Sequence, residues 1–197
     1  MRLLLASKSQ ARRRMLAAAG VGFTLAEASV DEEAAKLDLR AGAPGAAALA
    51  GALAEVKARS VAAGPGELVL GADQTLERDD GTMIDKPLSR AQAAEQLASL
   101  SGRTHRLHSA AAIAEQGKIT WRDLESVTLT MRPFGADFLG RYLDAEYEAI
   151  RHNVGGYRIE GPGIQLFDRI EGSLFAIQGL PLLPLLRYLR ERGVMPI

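Results

Sequence analysis

The chain has 197 residues, and 24 Lys plus Arg balance 24 Asp plus Glu, so its formal net charge is zero. Hydrophobic residues make up 47% and charged residues 24%, which fits a soluble globular chain with its own core, one domain or one domain of two lobes. Neutrality argues against a general binder of nucleic acid or membrane surfaces, and the absence of cysteine excludes disulfides, thiolate metal sites and a cysteine nucleophile and suits the cytoplasm.

The first apolar run, Leu3-Leu4-Leu5-Ala6, is too short for a signal peptide and reads as a buried strand. Ser7 or Ser9 can cap the helix that follows, which runs through Arg12-Arg13-Arg14-Met15-Leu16 and stops near Gly20. A second strand is expected over residues 23–28, then an acidic segment, Asp31-Glu32-Glu33. A loop around residues 42–45 leads to an Ala-rich helix over about 46–63, with Leu49, Leu53 and Val56 on its apolar face and Lys57 at the flank.

Residues 68–72 form a continuous apolar run, expected as a buried strand with Asp73 just past its end. A turn at Asp79-Asp80-Gly81 precedes Met83-Ile84-Asp85-Lys86-Pro87. Ser89 and Gln92 make a capping box for a helix to about Leu100. Two long strands, 105–115 and 118–132, flank Gln116-Gly117. A helix face follows at Phe138, Leu139, Tyr142 and Leu143, then a glycine-rich loop over 155–163, a strand over 164–170, and a final amphipathic helix after Gly179-Leu180-Pro181. Strands and helices mix throughout, which makes the fold α/β. The stretch 172–186 is uncharged but shorter than the roughly 20 residues of a membrane span.

Charge is segregated inside the neutral total. Residues 1–20 carry five basic groups and no acid, and residues 21–35 carry four acids and no base. The Ser-rich turn and Arg-rich helix start form either an anion site, where free N–H groups and arginine forks meet phosphate, or a solvated basic face. Asp73 is either a metal ligand or general base beyond a strand end, or a turn residue. Lys57 and Lys86 can each place an ammonium on phosphate, or be surface lysines. In the glycine-rich loop, Glu160 can accept hydrogen bonds from a base edge. His105 and His108 sit three apart on one expected strand, point to opposite faces and cannot chelate together.

In order and spacing these motifs resemble the Maf family of house-cleaning nucleoside triphosphate pyrophosphatases. The resemblance spans Leu3 to Gly193 and rests on Leu5-Ala6-Ser7-Lys8-Ser9 with Arg12-Arg13, Val30-Asp31-Glu32, Lys57, Gly71-Ala72-Asp73-Gln74, Asp85-Lys86-Pro87, Leu100-Ser101-Gly102 with His105, Gly156-Tyr157-Arg158-Ile159-Glu160-Gly161 and Gly179-Leu180-Pro181. It implies one two-lobed domain over residues 1–197, a central mixed, twisted sheet flanked by helices, and a cleft between the lobes. The implied reaction turns a nucleoside triphosphate and water into the monophosphate and pyrophosphate with Mg²⁺ or Mn²⁺. A cytoplasmic homodimer is implied, and the rival reading is a nucleotide-binding regulator of cell division and septum formation without significant turnover.

Residue by residue, the resemblance makes Asp73 the proton acceptor or a metal ligand and puts Glu32 at the acidic, metal-side position. Ser7, Arg12, Arg13, Lys57 and Lys86 fall at or beside phosphate-binding positions. Ala11, Gln74 and Glu160 bear on the base: Gln74 and Glu160 are similar to the 7-methyl-GTP branch rather than the dTTP and UTP branch, whereas Ala11 replaces that branch's large aromatic residue.

Overall fold

In the computed structural model, which describes residues 1–42 and 45–196, the two apolar runs of the first half lie side by side. Strand β1 (Arg2–Ala6) pairs in parallel with β3 (Glu67–Arg78), and Leu4 stands opposite Val69. Among the described residues the sheet has seven strands, ordered β2-β1-β3-β5-β6-β7, with β4 on β3. Parallel pairing at β1–β2 and antiparallel pairing at β3–β4 and β6–β7 make it mixed. Helices alternate with these strands along the chain, so the fold is α/β.

The chain divides into two compact units. The first holds residues 1–74, 109–125 and 173–197. It contains β1, α1 (Gln10–Ala18), β2 (Thr24–Leu25), α2 (Glu32–Ala41), α3 (Ala46–Arg59), and parts of β3, β5 (Thr104–Glu115) and β6 (Lys118–Met131). Alternation along β1 and β3 sends side chains to two cores. Leu3, Leu5, Leu68 and Leu70 meet Met15 and Leu16 of α1 and the stripe Leu182, Leu185 and Leu189 of a C-terminal helix (Leu182–Glu191, α7 below). Leu4, Ala6 and Val69 meet Ala50, Ala54 and Ala58 of α3. Alanines keep α3 close to the sheet. At Gly71 a Cβ would stand 2.3 Å from the Ala54 carbonyl oxygen and 2.4 Å from the Ala58 nitrogen.

The second unit holds residues 75–108 and 126–172, with β4 (Met83–Ile84), α4 (Arg90–Leu100), α5 (Ala136–Ile150), β7 (Phe167–Glu171) and the remaining parts of β3, β5 and β6. Helix α5 buries Leu139, Tyr142, Leu143 and Ile150. His105 is 1% exposed, and its Nε2 lies 2.7 Å from the Tyr157 hydroxyl. Tyr157 meets Phe167 edge to face. This apolar setting lowers the His105 pKa to about 4, because burial disfavours the charged ring.

Local signals explain most element ends. Ser9 accepts from the Arg12 amide and caps α1, and Ser89 accepts from the Gln92 amide and caps α4. The Gln92 side chain accepts from Leu88 rather than closing back on Ser89. Gln116 and Gly117 both take positive φ, 49° and 76°, the backbone of a tight two-residue hairpin between β5 and β6. In the first unit α6 (Leu174–Ile177) and α7 (Leu182–Glu191) complete the fold. No helix among the described residues is long and apolar enough to cross a membrane.

Five expectations are corrected. The strand expected over 23–28 shrinks to Thr24–Leu25. The acidic segment is the start of a helix: the Asp31 side chain caps α2 through the amides of Glu33 and Ala34. Asp73 lies inside β3, which runs on to Arg78, rather than past its end. The strand expected over 164–170 begins only at Phe167, because Pro162 opens a 3-10 turn over Pro162–Leu166. The Ala-rich helix ends at Arg59, and Ala43 and Pro44 of the expected 42–45 loop lie outside the described residues.

Two outcomes follow for stability. Gly71→Ala forces α3 off the sheet and lowers unfolding free energy by about 3 kcal/mol, read by urea denaturation. His105 titrates lower in the folded chain than in the unfolded one, so its neutral ring stabilises fully above pH ~6.5 and progressively less down to pH ~4. Wild type loses up to about 3 kcal/mol across that window relative to His105→Gln, in denaturation curves at pH 7 and 4.5.

Candidate functional site

Strand alternation puts Asp73 on the same side of β3 as Gly71 and Val69, the side that α3 covers. Lys57 lies in the last turn of α3, one turn beyond buried Leu53. Its stem runs along the helix–sheet contact and its ammonium emerges beside Asp73. The Nζ–Oδ1 distance is 2.6 Å. The same ammonium lies 3.0 Å from Oε2 of Glu32, the first residue of α2. Lys57 and Asp73 are 7% and 17% exposed at the side chain, against 48% for Glu32. One cation therefore joins three elements at a partly desolvated point. Removing either partner there leaves an uncompensated charge.

Arg12, on α1, is buried. Its Nε donates to the Gly179 carbonyl at 2.9 Å, and its Nη1 donates to the Ala72 carbonyl at 2.9 Å and to Ser7 Oγ at 3.3 Å. Ser7 Oγ also accepts from the Ser9 amide. The guanidinium thus ties the Ser-rich turn, the strand before Asp73 and the chain before α7 together. Burial pulls its pKa down, while the Asp73 and Glu32 carboxylates push it back up. Arg13, the next residue, is half-buried, and its Nε is buried without a hydrogen-bond partner among the described residues.

Gln74 follows Asp73 and points to the opposite side of β3. Its amide nitrogen donates to Ser109 Oγ and to the carbonyls of Ala176 and Ile177 at 2.8, 3.0 and 3.0 Å. Two backbone carbonyls can only accept, so they fix which end of the amide is nitrogen. Ser109 Oγ also donates to Ala176 O. Gln74 and Ser109 therefore anchor α6, a link that no local motif signals. Ala11 is half-buried on α1.

In the second unit, Lys86 and Glu160 are exposed. The loop bearing Glu160 is shaped by two close approaches. Gly155 has φ 79°, and a Cβ there would lie 2.6 Å from Leu76 Cδ1; at Gly163 a Cβ would lie 2.5 Å from the Arg158 carbonyl oxygen. Arg158 grips Glu146 with two hydrogen bonds, Nε to Oε2 at 2.7 Å and Nη2 to Oε1 at 3.1 Å. The Glu146 bond raises the Arg158 pKa. Sequence reading missed this clamp, because Glu146 lies on a helix face with no motif around it. His108 shares Nδ1 with Ser126 and Nε2 with Glu77, an arrangement separate from that of His105.

Of the residues singled out in the sequence, Glu32, Lys57 and Asp73 meet directly, and Ser7 meets Arg12. Glu32 and Asp73 offer only hard oxygen donors, which suit Mg²⁺ or Mn²⁺. Among the described residues no group of three or more His, Cys, Asp or Glu side chains is placed to hold a metal ion. A cation at this pair would complete its shell with water and substrate oxygens, the usual habit of Mg²⁺ at phosphate sites.

Comparison with known proteins adds a second line. A family model described as Maf-like protein matches residues 2–192. A nucleoside triphosphate pyrophosphatase of Sphingopyxis alaskensis is 46% identical over 197 residues, all of both chains. A protein of the same description from Paramagnetospirillum magneticum is 48% identical over 191 residues, 96% of this chain and 98% of its own. A 7-methyl-GTP pyrophosphatase of Rhizobium johnstonii is 46% identical over 197 residues, 98% of each chain.

Arg12 gives a direct test of the site's frame. Arg12→Lys keeps the charge but loses the fork between two carbonyls, and it lowers unfolding free energy by about 1–3 kcal/mol in chemical denaturation.

Proposed function

The chain belongs to the Maf family, and on that premise we propose that it hydrolyses nucleoside triphosphates, including non-standard or modified ones, to the monophosphate and pyrophosphate with a divalent metal. The observation that carries the reading is Asp73 against the Lys57 ammonium at 2.6 Å, with the Glu32 carboxylate across the same ammonium at 3.0 Å. Cations and carboxylates meet at one point, as hydrolysis of a polyphosphate requires.

Water is a poor nucleophile toward an anionic α-phosphorus. Asp73 accepts the proton as the water oxygen bonds to phosphorus. The bond from the α-phosphorus to the bridging oxygen breaks, and that oxygen leaves with the electron pair as pyrophosphate. Lys57, Arg12 and Arg13 screen the charge that develops, and Ser7 offers its hydroxyl to a phosphate oxygen. Glu32 and Asp73 would hold Mg²⁺ or Mn²⁺, which when bound polarises phosphate and acidifies water.

The resemblance also gives Lys86 a phosphate contact and Glu160 a part in choosing the base. A carboxylate suits the N1–H and N2–H donors of guanine. Gln74 contributes indirectly, since its amide nitrogen is committed to Ala176 and Ile177. The small Ala11 removes an aromatic stacking face, which points to a purine preference wider than 7-methyl-GTP.

A pyrophosphate-release panel over canonical triphosphates and 7-methyl-GTP, with Mg²⁺ and with Mn²⁺, tests the activity, and ¹⁸O from water should appear in the monophosphate. Asp73→Asn lowers kcat by a factor on the order of 100 or more while remaining folded. Unchanged turnover would sink the role given to Asp73, and a marked preference for dTTP would overturn the reading of Glu160.

A further inference from the structure

We propose that Lys57 holds the Glu32–Asp73 pair closed to a divalent cation until a triphosphate draws its ammonium away, so that metal and nucleotide are taken up together. This rests on the nucleotide reading above and adds an order to it. Three observations carry it.

First, the ammonium sits where a shared cation belongs. It touches Asp73 Oδ1 at 2.6 Å and Glu32 Oε2 at 3.0 Å, with 7% of its side chain exposed. Both carboxylates already have their counter-charge.

Second, two cations already act on the two carboxylates. Glu32 and Asp73 supply two negative charges, and Lys57 and buried Arg12 supply two positive ones, with Arg12 feeling both carboxylates. A dication added alone would meet both cations at a partly desolvated point. A triphosphate reverses that balance, because its oxygens give both the metal and the ammonium new partners. The donor count agrees: two carboxylates cannot fill an octahedral shell, and phosphate oxygens can.

Third, the two cations differ in freedom. Arg12 is fixed by the carbonyls of Gly179 and Ala72. Lys57 has a flexible stem, and its ammonium lies against the two carboxylates, Asp73 and Glu32. A compact ammonium on such a stem can exchange carboxylate for phosphate oxygens, where a locked guanidinium cannot. Arg12 is thus the frame and Lys57 the moving part.

The test reads bound Mn²⁺ by electron paramagnetic resonance, without nucleotide and without turnover. Wild type and Lys57→Arg should bind Mn²⁺ weakly, and Lys57→Met at least about tenfold more tightly. The gain should vanish in Lys57→Met with Asp73→Asn. Lys57→Gln replaces Lys57→Met if the latter does not melt cooperatively. In wild type, thermal unfolding with Mn²⁺ and an α,β-methylene nucleoside triphosphate should shift by more than the sum of the two separate shifts. Mn²⁺ binding to wild type as tight as to Lys57→Met overturns the proposal, as does a folded Lys57→Met with no gain. A failed pyrophosphate panel would remove the nucleotide reading and the triphosphate's part in the order, while the Mn²⁺ titrations still read the lysine's hold directly.

Discussion

Helix α3 can rest on strand β3 only because residue 71 has no side chain. The Ala54 carbonyl oxygen and the Ala58 amide nitrogen stand where a Cβ would project. That contact is backbone against backbone, so neither partner can yield by changing rotamer. It sets the height of α3 above the sheet, and so how far the side chain at the helix end must reach. Lys57 follows Ala54 by three residues, and Asp73 follows Gly71 by two along the strand. Both steps keep to the faces already in contact, which is why the ammonium arrives against the carboxylate.

The rest of the first unit supports this meeting. Arg12 spans from α1 to the chain after α6 and to the strand residue just before Asp73. Gln74, on the other side of the strand, fastens α6 from below. Asp73 therefore lies between two residues, Ala72 and Gln74, that are each tied into other elements. A carboxylate on so constrained a backbone has little freedom to turn away, which is the preorganisation that the role proposed for Asp73 needs.

Much of this was legible in the sequence, and the reasons for the remainder are local. The runs 3–6 and 68–72 announced buried strands because both faces of the sheet are covered there. Ser9 and Ser89 announced helix starts through side-chain chemistry that acts within three residues. Helix α2 was invisible because it buries none of its residues, so it lacks the apolar period that marks helices. β3 was read too short because Asp73, Gln74 and Glu77 break an apolar run without breaking pairing. At the site, residue types were readable and partnerships were not. The helical period places Lys57 only at a flank, and the bonds of Arg12 to Gly179 and of Gln74 to Ala176 span more than 100 residues of chain, beyond any local pattern.

Helix α2 has one more consequence. It contributes Glu32, yet no residue of it is buried. Its hold on the protein is therefore made of a cap, packing at the surface and charge, and not of a hydrophobic anchor. Segments of that kind open at much lower free energy than the core around them. The acidic arm of the site is thus mounted on a helix with no buried residue, and the basic arm on one with seven. When Glu32 is engaged, the ordering of α2 is part of the free energy of that engagement. Ligand affinity then reports the helix–coil balance of residues 32–41 as well as the contacts made, and exposed residues far from any ligand, such as Leu37 or Asp38, acquire a say in it.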